Sequence, residues 1–295
     1  MFRKLATAGS LVALGVTAVM AVTPVAAQTA SEETPNLLKV CAPPYNLPMS
    51  DMDGSGYENR IAELFAAQMG AKLRYTWFPQ RLGFIRATLK NNETEDGEYK
   101  CDVVMGVPEN FELAATTQPY MHSTWAMIYA KGTGLDWIKS QDDLSKMTPE
   151  QKATLKLGIW DQGPTTEWVS RLGLIEQAQV FPIMSGDPKQ SPTHVVETEL
   201  MKGEINLTFL WGPFAGYLQH KLKDAGLIVI PLKNEPGLKF DYQISMAVRH
   251  GDEARRKQIA DLIEKNQPAI DKILAEYGVP TLPVVHKAKR DDDDD

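Results

Sequence analysis

The sequence predicts an α/β protein of two lobes, each a parallel-rich sheet flanked by helices, with the chain crossing between them twice. The first observation is an apolar period that alternates between strand-like and helix-like along the chain. Strands separated by helices form parallel sheets, because a parallel pair needs a crossover connection. The second is the breaker-rich stretch Lys131-Gly132-Thr133-Gly134, after which a new strand–helix series starts. The third is an extended run at 242–248 that follows the second series and leads into a helical end. A unit inserted between stretches of extended chain has two connections to its neighbour, which makes a hinge with a cleft.

The elements follow in order. Residues 37–41 form a short apolar run stopped by Pro43-Pro44, a strand. In 57–69, Ile61, Leu64, Phe65 and Met69 share one helical stripe, with Gly70 just behind the helix end. Residues 72–78 alternate as a strand, 81–89 read as a helix, and 101–107 as a buried strand, followed by an extended run at 123–130. The second series runs strand 155–160, helix 166–172, strand 179–184, helix 193–202, strand 205–210, helix 213–222 and strand 227–232. Asn234-Glu235-Pro236-Gly237 is a turn, and two helices close the chain, the second carrying Ile270, Ile273, Leu274 and Tyr277. The expected division is 28–130 and 238–286 for lobe 1, 131–237 for lobe 2, and 287–295 for a charged tail.

Composition narrows the function. The 295 residues are 43% hydrophobic and 23% charged, enough for more than one compact unit. A formal net charge of −7 gives no electrostatic reason to bind a phosphate backbone, so nucleic acid is disfavoured. Arg3 and Lys4, a twelve-residue apolar stretch at 11–22 and the small residues Val25-Ala26-Ala27 read as a secretory signal peptide over 1–27. The apolar stretch is too short to span about 30 Å of hydrocarbon, so no membrane span is expected in the mature form. Loss of Arg3 and Lys4 takes the charge from −7 to −9, of which Asp291 to Asp295 supply −5.

The exported compartment permits a disulfide between Cys41 and Cys101. Cys41 stands at the exit of one predicted strand and Cys101 at the entry of another. In parallel neighbours those ends lie about 10 Å apart, at about 3.3 Å per residue, and a disulfide tolerates about 7 Å between Cα atoms. A shifted register would close the gap, so a bridge and two separate thiols both remain open.

Catalytic constellations are missing. His122, His194, His220, His250 and His286 have no metal-ligand spacing, and no nucleophile elbow, phosphate loop or dinucleotide fingerprint occurs. Asp51-Met52-Asp53-Gly54-Ser55-Gly56 begins like a calcium loop, but Ala62 stands where a bidentate Glu is needed. No metal, cofactor or catalytic residue is assigned, and an exported hydrolase would lack a nucleophile–base pair.

The loops at the carboxyl ends of the predicted strands carry rings instead: Tyr45, Trp77 and Phe78, Trp160 and Trp211. Rings converging on a crevice favour a site that buries apolar area, and rings at strand ends also plug cores. Gln80, Arg81, Arg86 and Glu58 are polar rim or helix-anchoring residues in the first reading. Gly163-Pro164-Thr165-Thr166 is a helix start that suits an acid group through Thr165 and Thr166, or a plain N-cap.

The segments LKVCAPPYNLPMS, CDVVMGV and TTQPYMHSTWAMIYAKG resemble the two-lobed periplasmic solute-binding proteins of amino-acid ABC transporters. The resemblance implies a periplasmic binding protein fold of the type II-like class. Those proteins clamp the ligand carboxylate with an Arg about nine residues before a Pro-Tyr pair and hold the amino group with an Asp in a D-x-P motif. Counting back from Pro119-Tyr120 reaches Asn110, and the D-x-P position reads Trp211-Gly212-Pro213, so both charged anchors are absent. A zwitterion would be left under-paired.

GYENRIAELFAAQMGAKLRYTWFPQRLGFIRATL and CDVVMGVPENFELAATTQPYMHSTW are similar, more narrowly, to the J proteins of methanol oxidation, of MxaJ/XoxJ type. That resemblance implies a periplasmic, monomeric accessory protein without a cofactor of its own. Its transient partner would be a pyrroloquinoline-quinone-dependent methanol dehydrogenase, which it helps to mature or activate. The competing expectation is a transporter binding protein for a small apolar or mono-anionic solute. The acidic insertion at 91–100 departs from the family.

Overall fold

The computed structural model of the protein describes residues 36–92 and 97–285. The expected signal peptide, the acidic tail and the middle of the 91–100 insertion lie outside these described residues.

The elements that carry the fold are β1 (Leu37–Ala42), α1 (Tyr57–Met69), β2 (Lys72–Trp77), β3 (Val103–Pro108) and the sixteen-residue β4 (Ala115–Ala130). They continue with β5 (Leu157–Trp160), α2 (Pro164–Arg171), β6 (Ala178–Phe181), β7 (Leu207–Trp211), α3 (Gly212–Lys221), β8 (Leu227–Pro231), β9 (Asp241–Val248) and α4 (Glu253–Glu276). Among the described residues the strands run β2-β1-β3-β9-β4-β7-β5-β6, with β8 also on β4. β1 pairs parallel with β2 and β3, and β5 parallel with β6 and β7. The pairs made by β4 are antiparallel.

β4 serves both halves. Its residues from Ala115 to Thr124 pair with β9, and from Trp125 onward it pairs with β7 on one side and β8 on the other. One core gathers Leu38, Val40, Ile61, Phe65, Tyr120, Met246 and the apolar face of α4. The other gathers Met127, Tyr129, Ile159, Trp160, Trp168, Phe209 and Phe240. At the changeover the Trp125 N–H donates to Phe240 O at 3.0 Å, the Leu232 N–H donates to Trp125 O at 2.8 Å, and Thr124 Oγ1 donates to Leu232 O at 2.8 Å. The chain therefore crosses in hydrogen-bonded strands, as a two-lobed α/β fold with a hinge requires.

A third piece of chain braces the crossing. Ser123 Oγ donates to Pro280 O at 2.6 Å and the Leu282 N–H donates to His122 O at 2.8 Å, while the same segment packs on α3. The approach is close enough that a Cβ at Gly216 would lie 2.0 Å from Gly278 O. Glycine is required there by space alone.

Four elements differ from expectation, the first being the helix read over 81–89, which is a single turn, Phe84–Ala87. β4 starts at Ala115, not at 123, and accommodates Pro119 where its pairing with β9 shifts register, the kind of irregularity at which a strand tolerates proline. The closing helices are one: α4 continues past Pro268, because Ile259, Leu262, Ile263, Ile270, Ile273 and Leu274 form one buried stripe. Burying that stripe outweighs the cost of about 3 kcal/mol for an interior proline. The expected helix at 193–202 is an α-turn, Pro192–Val195, running into a π-helical stretch, Val196–Leu200. Among the described residues no helix is long and apolar enough to cross a membrane.

Cys41 and Cys101 are bonded, with Cα atoms 5.4 Å apart. The straight-strand distance does not apply because β3 begins only at Val103 and residues 100–102 curl across the sheet. Lys100 O accepts from Thr76 Oγ1 at 2.7 Å, and Thr76 is the register partner of Cys41. The bridge lies in a third apolar cluster with Phe84, Ile85 and Leu89. It spans 60 residues of sequence, so in a chain-entropy account it stabilises the fold by about 4 kcal/mol. Cys41→Ala with Cys101→Ala should lower the free energy of unfolding by about that amount, read from urea denaturation with midpoint and slope both fitted; an unaltered free energy contradicts it.

Candidate functional site

The cleft between the two cores opens where β1, β3 and β7 end and β9 begins. It has two adjoining compartments, of about 360 Å³ and about 540 Å³. Pro43, Asn46, Met49, Gln80, Pro108, Met184, Trp211 and Ile244 line both. Prolines dominate the first: Pro43, Pro44, Pro79, Pro108, Pro164, Pro188 and Pro192, joined by Tyr45, Trp125, Phe214 and Tyr242. The second adds Tyr57, Phe84, Ile85, Val104, Phe111, Leu113 and Met121, with Arg81, Arg86, Lys90 and Glu58 as its charged members.

Six of the residues expected at the cleft line it, Arg86 and Glu58 in the second compartment among them. Trp211, the last residue of β7, faces Trp125 across the β4 ladder and meets Tyr242 edge-on at 6.0 Å. Tyr45 is 56% exposed at the mouth. Gln80 lies in the wall of both compartments and Arg81 in that of the second, its guanidinium 4.9 Å above the Phe78 ring. Across the mouth, a Cβ at Gly186 would lie 3.1 Å from Pro79 and 3.7 Å from Arg81, so the two sides already touch there.

The other expected residues lie outside the walls, for reasons of register and burial. Trp77 shares a face of β2 with Tyr75 and stacks on it at 4.5 Å, against the core beneath α1. Phe78 packs edge-on to Phe84 in the disulfide cluster. Trp160 is fully buried against Phe181, because β5 is a central parallel strand covered on both faces. Thr165 is completely buried, and Thr166 donates its hydroxyl to Trp160 O at 2.7 Å. Only Pro164 of that helix start reaches the cleft, and it has no N–H to offer an acid group.

Asn110, at the position of the absent carboxylate clamp, is exposed in a left-handed conformation and lines neither compartment. In the first compartment the carboxylate is Asp187, which accepts from the Lys189 N–H at 2.9 Å. Among the described residues no His, Cys, Asp and Glu cluster could hold a metal.

Glu58 is not a rim residue. It occupies the first turn of α1 and is 7% exposed. Asp102, similarly buried, has Arg249 at 3.0 Å, Arg255 at 3.8 Å and Lys39 at 3.9 Å. Glu58 has no ion pair among the described residues, and burial pushes its carboxyl from the ordinary 4.5 up to about 8. It lies over Gly106 of β3, where a Cβ would come within 2.4 Å of its Oε1. A polar residue two places into an apolar helix gives little sign of this; the pairing with a glycine on another strand is visible only in three dimensions.

No protein-family model matches the chain. It is 29% identical over 272 residues to Protein MoxJ of Methylorubrum extorquens, covering 88% of this chain and 86% of that protein. The crystal structure of periplasmic binding protein XoxJ from Methylobacterium extorquens AM1 superposes with a TM-score of 0.65 at 30% identity, over 83% of this chain and 99% of that one. MxaJ from Methlophaga aminisulfidivorans MPT superposes with a TM-score of 0.66 at 24% identity, over 83% and 100%. Two α/β cores about a strand hinge, with an interlobe cavity, define the periplasmic binding protein fold. Within it, the chain belongs to the MoxJ/XoxJ family.

The buried carboxyl sets a pH dependence. Its folded pKa lies above the unfolded one, so the stability it contributes is complete below about pH 4.5 and is lost as pH rises toward about 8. Glu58→Gln should flatten the stability profile between pH 5 and 8 and remove a decline on the order of 4 kcal/mol. Urea titrations of both proteins at several pH values check this; parallel profiles refute it.

Proposed function

We propose that the protein is a periplasmic accessory protein whose cleft holds a flexible or partly folded segment of a quinone-dependent methanol dehydrogenase during its maturation or activation. The observation that carries the reading is the composition of the cavity wall: mostly proline, aromatic, aliphatic and methionine side chains, with neither Asn110 nor Trp211 supplying the charged anchors of the amino-acid binders and with Arg81, Arg86 and Lys90 exposed. Such a wall gains from burying apolar area and makes few directional demands. The mouth favours a chain over a small solute. Leu82 is 86% exposed, Leu113 53% and Met184 48%, all on the second compartment, and Tyr45 stands beside the first. A polypeptide running through both compartments would cover these side chains, whereas a solute enclosed in one would leave most in water.

Family membership supports the assignment to methanol oxidation, and the buried disulfide suits an oxidising compartment. One chain carries the whole cleft, in keeping with a monomer and a transient partner.

Immobilised protein should retain the dehydrogenase large subunit from a periplasmic extract, more when the dehydrogenase lacks its cofactor than when loaded. Tyr45→Ala with Trp211→Ala should weaken retention by tenfold or more, since each ring removes an apolar anchor. Equal retention by the double variant, or full dehydrogenase activity in cells lacking this protein, sinks the reading. Micromolar binding of a small carboxylic acid in calorimetry would favour solute transport instead.

A further inference from the structure

We infer that the second compartment is an alkylammonium site, in which the Glu58 carboxylate receives the cationic head and the apolar wall holds the aliphatic stem. Glu58 lines a cavity of about 540 Å³, is 7% exposed and has no ion-pair partner among the described residues. A buried carboxyl is normally paired or excluded, because removing it from water without a partner is costly. Here the wall opposite it is kept open. Gly106 is exposed, and any side chain there would meet Oε1, so the absence of a Cβ leaves that oxygen facing the cavity.

The neighbouring titratable groups do not supply the missing charge. Tyr57 beside it, Tyr75 on β2 and Tyr120 on β4 are phenols that burial keeps neutral. Arg81, Arg86 and Lys90 line the same compartment but are exposed, and no cation draws the carboxyl pKa down. Their field is weakened by water and salt, whereas a cation brought into direct contact with Glu58 acts in a water-poor site. Phe84, Ile85, Val104 and Met121 supply the surface for a methylene stem.

Ionising the carboxyl is inexpensive compared with what it gains. With a pKa of about 8, ionisation at pH 7 costs a factor of about ten in binding, and a charge-assisted hydrogen bond in the cavity exceeds that. The ligand keeps its ammonium charge, and the carboxyl proton passes to the buffer. Assigning the ammonium to a lysine side chain rests on the polypeptide reading above; a free alkylamine offers the same chemistry.

Calorimetry on the whole protein at pH 7 separates the possibilities. The probes are n-pentylamine, 1-pentanol, and a short leucine- and proline-rich peptide containing one lysine, with its Nε-acetylated form. Pentylammonium should bind at least tenfold more tightly than pentanol and release a proton, measured by comparing buffers of different ionisation enthalpy. Glu58→Gln should abolish both the preference and the proton release. Gly106→Ala, which displaces the carboxylate, should abolish the preference if the glutamine variant fails to fold. Tighter binding of the lysine peptide than of its acetylated form and of the free amine assigns the head to a polypeptide; equal binding of amine and peptide assigns it to a soluble amine. Equal affinity for pentanol and pentylammonium, or a preference that survives in both variants, overturns the inference. Dehydrogenase capture is read through Tyr45 and Trp211, so failure here and failure of the polypeptide reading are distinguishable.

Discussion

The hydrogen-bond ladder of β4 is the constraint from which the rest of the molecule follows. Sixteen residues of one strand pair with β9 along their first part and with β7 and β8 along the second, so both cores are built on one backbone. A strand shared this way cannot bend sharply without breaking ladder bonds, and each broken bond leaves buried polar groups without partners. Adjustment between the halves is therefore confined to the crossing near Trp125, Leu232 and Phe240, where the brace from Pro280 to Leu282 limits it again. Trp125, Trp211 and Tyr242 sit at that crossing because the strands that carry them end or change partners there. The cleft is thus a by-product of topology before it is a choice of side chains.

Side-chain choice then decides what the cleft can hold. Two buried carboxylates of the same half show the contrast. Asp102 is surrounded by arginines and a lysine and fastens the start of β3 to the end of β9, an interior ion network with every charge accounted for. Glu58 faces a cavity with no ion-pair partner among the described residues, and burial keeps it protonated at neutral pH. Asn110 and Trp211, at positions where the transporter proteins carry ions, contribute neither anchor. The cavity keeps one buried acid without an ion pair in a largely apolar wall, with Arg81, Arg86 and Lys90 exposed along the same compartment.

Much of this was readable along the chain. The stripe of Ile61, Phe65 and Met69 located α1 to the residue, and the alternating runs located β1, β2 and β5 to β9 within two or three residues, because burial imposes those periods directly. Other features depended on contacts distant in sequence. The polar start of β4, with Thr116, Thr117 and Gln118, does not look like a strand until β9 lies beside it. Pro268 reads as a break, yet the buried face continues through it. Rings were harder still. A tryptophan at a strand end points to cleft or core according to register and the number of neighbouring strands, which is why Trp211 lines the cavity and Trp77 and Trp160 do not. Cys101 met Cys41 only because residues 100–102 depart from the straight path that periodicity assumes.

The abundance of proline around the first compartment bears on how any occupant is recognised. A wall made of tertiary amides cannot zip up an incoming chain as an extra strand, since proline nitrogens have no hydrogen to give. A polypeptide lying there would be free to slide by a residue or two without losing a matched set of main-chain bonds. Such tolerance of frame would let one cavity accept several stretches of a client, or different clients, and release them without unpicking a ladder.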